Sequence, residues 1–174
     1  MLKCTSGKFE LELNQYTESS HDGKHLIPVP TVDLIVRKGN LILLEQRGRA
    51  PFQGMRCLPG GHVDYGETVE ETALRELMEE TSVQAKLVGI LGVFSDPKRD
   101  PRGQRVTVVF VADWIDGEPV GGDDAKAAGW VNEVELQRSD LKLAFDHSLI
   151  LRDYFNWKKH PMETFWSTKM EIAS

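Results

Sequence analysis

The spacing of hydrophobic and polar positions switches several times between period two and a helical period, and the switches divide the chain into elements. Residues 9–13 (FELEL) alternate, a short strand signal, and the polar, turn-rich residues 15–24 that follow read as a loop. Two extended apolar runs, 29–36 and 41–45, are joined by Arg37-Lys38-Gly39-Asn40, the composition of a hairpin turn. Residues 47–55 contain Gly and Pro and read as a loop, and Arg56-Cys57-Leu58 leads in extended form to Pro59-Gly60-Gly61. Glu67 is expected to open one long helix. Beyond it, 85–94 are extended, 95–103 (SDPKRDPRG) form a charged loop, and 105–115 (RVTVVFVADWI) give the strongest strand signal. A Gly- and Asp-rich loop is expected over 116–128, a short extended piece over 129–132 and a final helix over 145–158. No internal repeat or low-complexity tract interrupts this order. It predicts an α/β fold, an α/β/α sandwich around a mixed sheet, spanning residues 28–158. Residues 1–27 would form an extension with one short strand, and 159–174 a tail.

Composition narrows the function. A chain of 174 residues with 40% hydrophobic side chains has the size and content of one domain with one buried core. A net charge of −6 argues against a nucleic-acid partner, which needs a basic face. It leaves an anionic small molecule open, because a bound metal and local arginines decide that. No run approaches the ~20 apolar residues of a membrane span, and the N-terminus lacks a signal-peptide core, so no membrane partner is expected. Cys4 and Cys57 have neither zinc-ligand spacing nor the look of a staple, and a reduced, cytoplasmic setting is the expectation. The histidines are scattered and read as structural or surface residues.

Chemistry concentrates in residues 61–83, GHVDYGETVEETALRELMEETSV. At about 3.6 residues per turn, Glu76, Glu79 and Glu80 share one arc of the helix, and Ala73, Leu74, Leu77 and Met78 occupy another. The apolar arc is expected to pack on the core, with Glu80 facing away from it. Like charges three and four residues apart each cost roughly 0.2–0.5 kcal/mol, and this cluster sits in the C-terminal half, where the helix dipole is already negative. A divalent cation would make the placement favourable. Hard carboxylate oxygens without Cys or His select Mg²⁺ or Mn²⁺. Arg75 stands beside the first of these acids as an ion-pair partner, and the two glycines let backbone approach a ligand.

This spacing resembles the Nudix box, G-x5-E-x7-R-E-U-x-E-E-x-G-U, where U is a bulky apolar residue. The pattern is met by Gly61, Glu67, Arg75, Glu76, Leu77, Glu79, Glu80 and Val83, with one departure, Ser82 in place of Gly. The resemblance implies a Nudix-type sandwich and hydrolysis of a nucleoside diphosphate linked to another group. It also implies metal ligation by Glu76, Glu79, Glu80 and the Gly60 carbonyl, with Glu67 and Arg75 fixing the carboxylates. In several branches a carboxylate from a later loop reaches the attacking water, and here Asp124 is the match, with Glu76 or Glu79 as the alternative base.

The leaving group is read from outside the box. Residues 95–110 (SDPKRDPRGQRVTVVF) and 143–151 (LAFDHSLIL) resemble bacterial and archaeal ADP-ribose pyrophosphatases. The implied substrate is ADP-ribose, split to AMP and ribose 5-phosphate. Arg47, Arg56, Arg99 and Arg102, together with Lys98 and Arg105, are candidates to meet phosphate or ribose. Phe52, Tyr65, Phe94 and Trp114 are candidates to stack on adenine. Two alternatives stay open: another sugar nucleotide or a nucleoside triphosphate as substrate, and a silent nucleotide-binding sensor. The resemblance also admits a homodimer through the N-terminal strand, which the residues alone do not require.

Overall fold

A computed structural model describes residues 27–122, 125–138, 142–160 and the backbone of 165–166. The expected strand at 9–13, the loop at 15–24 and Asp124 lie outside the described residues. Among those described, seven strands form one mixed sheet in the order β3-β2-β1-β5-β4-β7, with β6 paired to β2. These are β1 (Val29–Lys38), β2 (Leu41–Arg47), β3 (Arg56–Cys57), β4 (Gln84–Phe94), β5 (Arg105–Asp116), β6 (Ala125–Asn132) and β7 (Phe165–Trp166). Strands β1 and β5 run parallel, while β1 with β2, β4 with β5 and β2 with β6 are antiparallel.

Period-two alternation sorts side chains between two cores. Val32, Leu34, Val36, Leu43, Phe110 and Ala112 pack with Ala73 and Leu77 of helix α1 (Val69–Thr81). Ile35, Ile42, Leu44, Val109 and Val111 pack with Ile150, Leu151, Tyr154 and Trp157 of helix α3 (His147–Trp157). The sheet is therefore covered on both faces, as the pattern predicts. A short helix, α2 (Glu133–Leu136), which the pattern does not predict, joins β6 to the segment before α3.

Several details differ from expectation. Helix α1 starts at Val69 and not at Glu67, because Thr68 caps it: the Thr68 hydroxyl accepts from Glu71 N–H, and the Glu71 side chain accepts from Thr68 N–H. Leu74 and Met78 are each 40% exposed, so the packed stripe of α1 is Thr72, Ala73, Leu77 and Thr81. The loop expected over 116–128 is shorter, since β5 runs to Asp116 and β6 starts at Ala125. Helix α3 begins at His147, since Phe145 has a left-handed φ of 54°.

Candidate active site

The segment after β3 sets the site against β1. Leu34 N–H donates to the Pro59 carbonyl and Val32 N–H to the Gly61 carbonyl, both at 2.9 Å. Gly60 N–H points the other way and donates to Glu80 Oε2 at 2.9 Å. Gly60 is required by space, because a Cβ there would overlap Val32 backbone, whereas one at Gly61 would meet only the end of the Glu76 side chain, which would have to turn aside.

Glu80 does not face away from the core; it is 8% exposed, turned between α1 and the sheet. Burial and then the neighbouring Glu45 carboxylate hold its pKa well above the usual range. Glu76 is also raised, chiefly by burial, with Arg75 acting in the opposite direction. Arg75 gathers the box acids: Nε donates to Glu67 Oε1 (2.8 Å), Nη2 to Glu67 Oε2 (2.9 Å), and Nη1 to Glu76 (3.0 Å) and Glu79 (3.2 Å). Hydrogen bonds from Arg75 and then Thr72 bring Glu67 down to about 2. Glu79 is the most exposed of the three acids that Arg75 gathers.

Of the box acids Glu76 and Glu80, together with Glu45, give an acidic lining to a cleft of about 310 Å³, within the size range of small-molecule sites. The rest of its lining includes basic and aromatic side chains. Phe145 is among them, with the Arg47 guanidinium 4.8 Å and the Arg102 guanidinium 5.4 Å from its ring centre. Arg102 makes a bidentate pair with Asp100 (2.7 Å for Nη2), and Arg105 pairs with the same carboxylate at 3.2 Å. Arg99 is buried and bidentate on Asp146, with Asp33 a further partner at 3.3 Å. It lines the cleft wall but is committed to the protein.

Other candidates sit elsewhere. Arg56 pairs with Glu135 at 3.1 Å and is not among the cleft residues. Phe94 is fully buried in the α3-side core. Trp114 lies under the Lys38 ammonium, 3.7 Å from its ring centre, and its indole N–H donates to Gly117. Tyr65 is fully exposed. Phe52 packs edge-on against Phe145, and with Lys98 it lines an adjoining hollow.

The cleft also holds Asp33, Glu45, Arg49 and His147, which motif reasoning missed. His147 Nδ1 accepts from Leu58 N–H at 2.8 Å, while Nε2 lies 3.5 Å from Asp33 Oδ1, itself in a carboxyl group bonded by the Thr107 hydroxyl. Burial lowers the His147 pKa, so a neutral ring anchors α3 to the segment carrying Gly60. Glu45 was legible in one respect, because period-two counting puts it on the face of Leu43, toward α1.

A divalent cation fits this acidic lining. The donors are hard carboxylate oxygens, and one of them, Glu45 Oε2, is buried without a hydrogen-bond donor. Among the described residues no three side chains already converge as a metal-binding group; Glu76 is turned onto Arg75.

The family profile of the NUDIX domain matches residues 27–154. The chain belongs to the Nudix family. It is similar to the ADP-ribose pyrophosphatase of Methanocaldococcus jannaschii, at 48% identity over 134 residues covering 77% of each chain. An ADPR responsive transcriptional repressor of Acinetobacter baylyi is 32% identical, over 82% of this chain and 58% of the repressor. Among solved structures, the NUDIX domain of Shewanella oneidensis NrtR complexed with ADP ribose matches at TM-score 0.69 and 27% identity, covering 82% of this chain and 96% of that one. This Nudix hydrolase thus keeps the family's fold and every acidic position of the box. No helix among the described residues is long and apolar enough to cross a membrane.

Proposed function

We propose that this Nudix hydrolase cleaves the diphosphate of ADP-ribose, giving AMP and ribose 5-phosphate, with Mg²⁺ or Mn²⁺ bound. The observation that carries the reading is one cleft lined by the box acids Glu76 and Glu80 and by Phe145, with the Arg47 and Arg102 guanidiniums close to the Phe145 ring. The 48% identity to an ADP-ribose pyrophosphatase supports the choice of substrate. Glu76, Glu79, Glu80 and the Gly60 carbonyl are the proposed metal ligands. When bound, the cation supplies charge neutralisation at the diphosphate and a lowered pKa for an attacking water. Arg75 and Glu67 fix the orientation of the helix acids, and Gly60 N–H orients Glu80. Arg47 and Arg102, both lining the cleft, are the proposed cations for the phosphates and ribose, and Phe145 the proposed apolar surface for the nucleotide. Asp124, outside the described residues, is proposed as the base that positions the water. A reduced, cytoplasmic setting suits the free, buried Cys57.

A second reading, a nucleotide sensor without turnover, is favoured by the 32% identity to an ADPR responsive repressor. Retention of Glu67, Glu76 and Glu79 in one hydrogen-bonded set around Arg75, with Glu80 held by Gly60 N–H, weighs for the enzyme. Turnover of ADP-ribose, other sugar nucleotides and nucleoside triphosphates with Mg²⁺ separates the readings. ADP-ribose should lead in kcat/KM. A tenfold lead by another substrate would overturn the substrate, and binding without turnover of any would establish the sensor.

A further inference from the structure

We propose that Glu45, on β2 and outside the box, is a further ligand at the divalent-cation site, facing Glu80 across the floor of the cleft. The inference rests on the metal-dependent reading above. On β2, Ile42 and Leu44 turn to the α3-side core and Leu43 to the α1-side core. Alternation therefore places Glu45 where another core residue would continue the row, directly toward α1. Its residue surface is only 4% exposed, an unusual position for a carboxylate.

Its hydrogen bonding is half complete. Oε1 accepts from the Cys57 thiol at 3.0 Å, but Oε2 is buried with no donor. The group within hydrogen-bonding reach is the Glu80 carboxyl, which has no proton to offer when both acids are charged. Arg47 acts on Glu45 only through space, since its Nε donates to the Pro51 carbonyl and its guanidinium lies over Phe145. Glu45 and Glu80 both line the cleft, so an ion entering it meets one carboxylate from α1 and one from β2. A cation there satisfies Oε2 and removes the repulsion together. A proton shared between the two acids would satisfy the same geometry without metal, and the experiment must separate the two.

Mn²⁺ binding to the full chain, followed by electron paramagnetic resonance, is compared for the wild type and Glu45→Gln. The expected result is at least tenfold weaker binding in Glu45→Gln, with a metal-free unfolding temperature no lower than that of the wild type. Binding within twofold of the wild type would overturn the proposal in favour of the shared proton. Should Glu45→Gln fail to fold, an anomalous-scattering map of Mn²⁺-soaked wild-type crystals decides. A metal about 2 Å from a Glu45 oxygen supports the proposal; one held by box residues alone overturns it. In that last case turnover by the wild type leaves the hydrolase reading standing, whereas a wild type that neither binds Mn²⁺ nor turns over defeats both.

Discussion

Glu80 combines burial, a like-charged neighbour in Glu45 and one backbone donor from Gly60. Glu80→Gln keeps that acceptor while removing a charge that the metal-free fold disfavours. The expected outcome is a loss of roughly a hundredfold or more in kcat, the scale of removing one electrostatic group from a reaction centre, with no fall in the metal-free unfolding temperature. Glu67 shows the opposite sign. Its folded pKa, about 2 against an ordinary 4.5, means that its stabilising contribution is present above pH 4.5 and is lost as pH falls through 2. Glu67→Gln should therefore flatten the acid limb of the unfolding profile between those values, and an unchanged limb would show that the Arg75 clasp does not hold in solution. The box acids were legible because their spacing is local to one helix. Glu45, Asp33, His147 and Phe145 were not, because their roles depend on pairs far apart in sequence, Glu45 with Glu80 or His147 with Leu58. Arg56 misled for the same reason: its sequence neighbourhood is right, but its side chain leaves for Glu135.

At the scale of elements, α1 depends on its two ends. The reciprocal Thr68–Glu71 bonds close the N-terminus, so Thr68→Ala should destabilise the protein by about 1 kcal/mol in urea unfolding. At the other end Ser82, the break from the box, sits at φ 58°, ψ 21°, and its N–H donates to the Met78 carbonyl at 2.9 Å. That is the left-handed conformation in which Gly carries no Cβ penalty, so Ser82→Gly should raise stability by about 1 kcal/mol and leave kcat within a few-fold. A large rise in kcat would instead mark the natural protein as a weakened enzyme. Strands with clear alternation or apolar runs, β1, β2 and β5, were readable from sequence. Strand β6 was readable only over residues 129–132, because its start, Ala125-Lys126-Ala127-Ala128, carries little apolar signal and is held by pairing along β2. The C-terminus of α1 is closed by that same region, Val120 N–H on the Thr81 carbonyl and Gly122 N–H on that of Glu80.

For the whole molecule, the order of elements was enough to give a two-sided mixed sheet, since a buried strand series needs helices on both faces. It could not give the cleft, which is made where the Gly60 segment, β1, β2, α1 and the start of α3 meet. That convergence brings Glu45, Glu76 and Glu80 to one cleft, while Arg75 gathers Glu67, Glu76 and Glu79. A cation that binds the folded cleft and not the unfolded chain must raise stability, by about 2.7 kcal/mol when its free concentration is a hundred times its dissociation constant. Unfolding temperature should therefore climb with Mg²⁺ or Mn²⁺ and fall in EDTA, while far-ultraviolet circular dichroism at ambient temperature stays the same. Hydrolysis should disappear over the same titration, since on the proposed reading the ion that relieves the carboxylates is also the one that meets the diphosphate. Turnover in EDTA equal to that with Mg²⁺ would remove the metal from the reaction. A metal-dependent rise in stability without turnover would keep the ion and transfer the protein to the sensor reading.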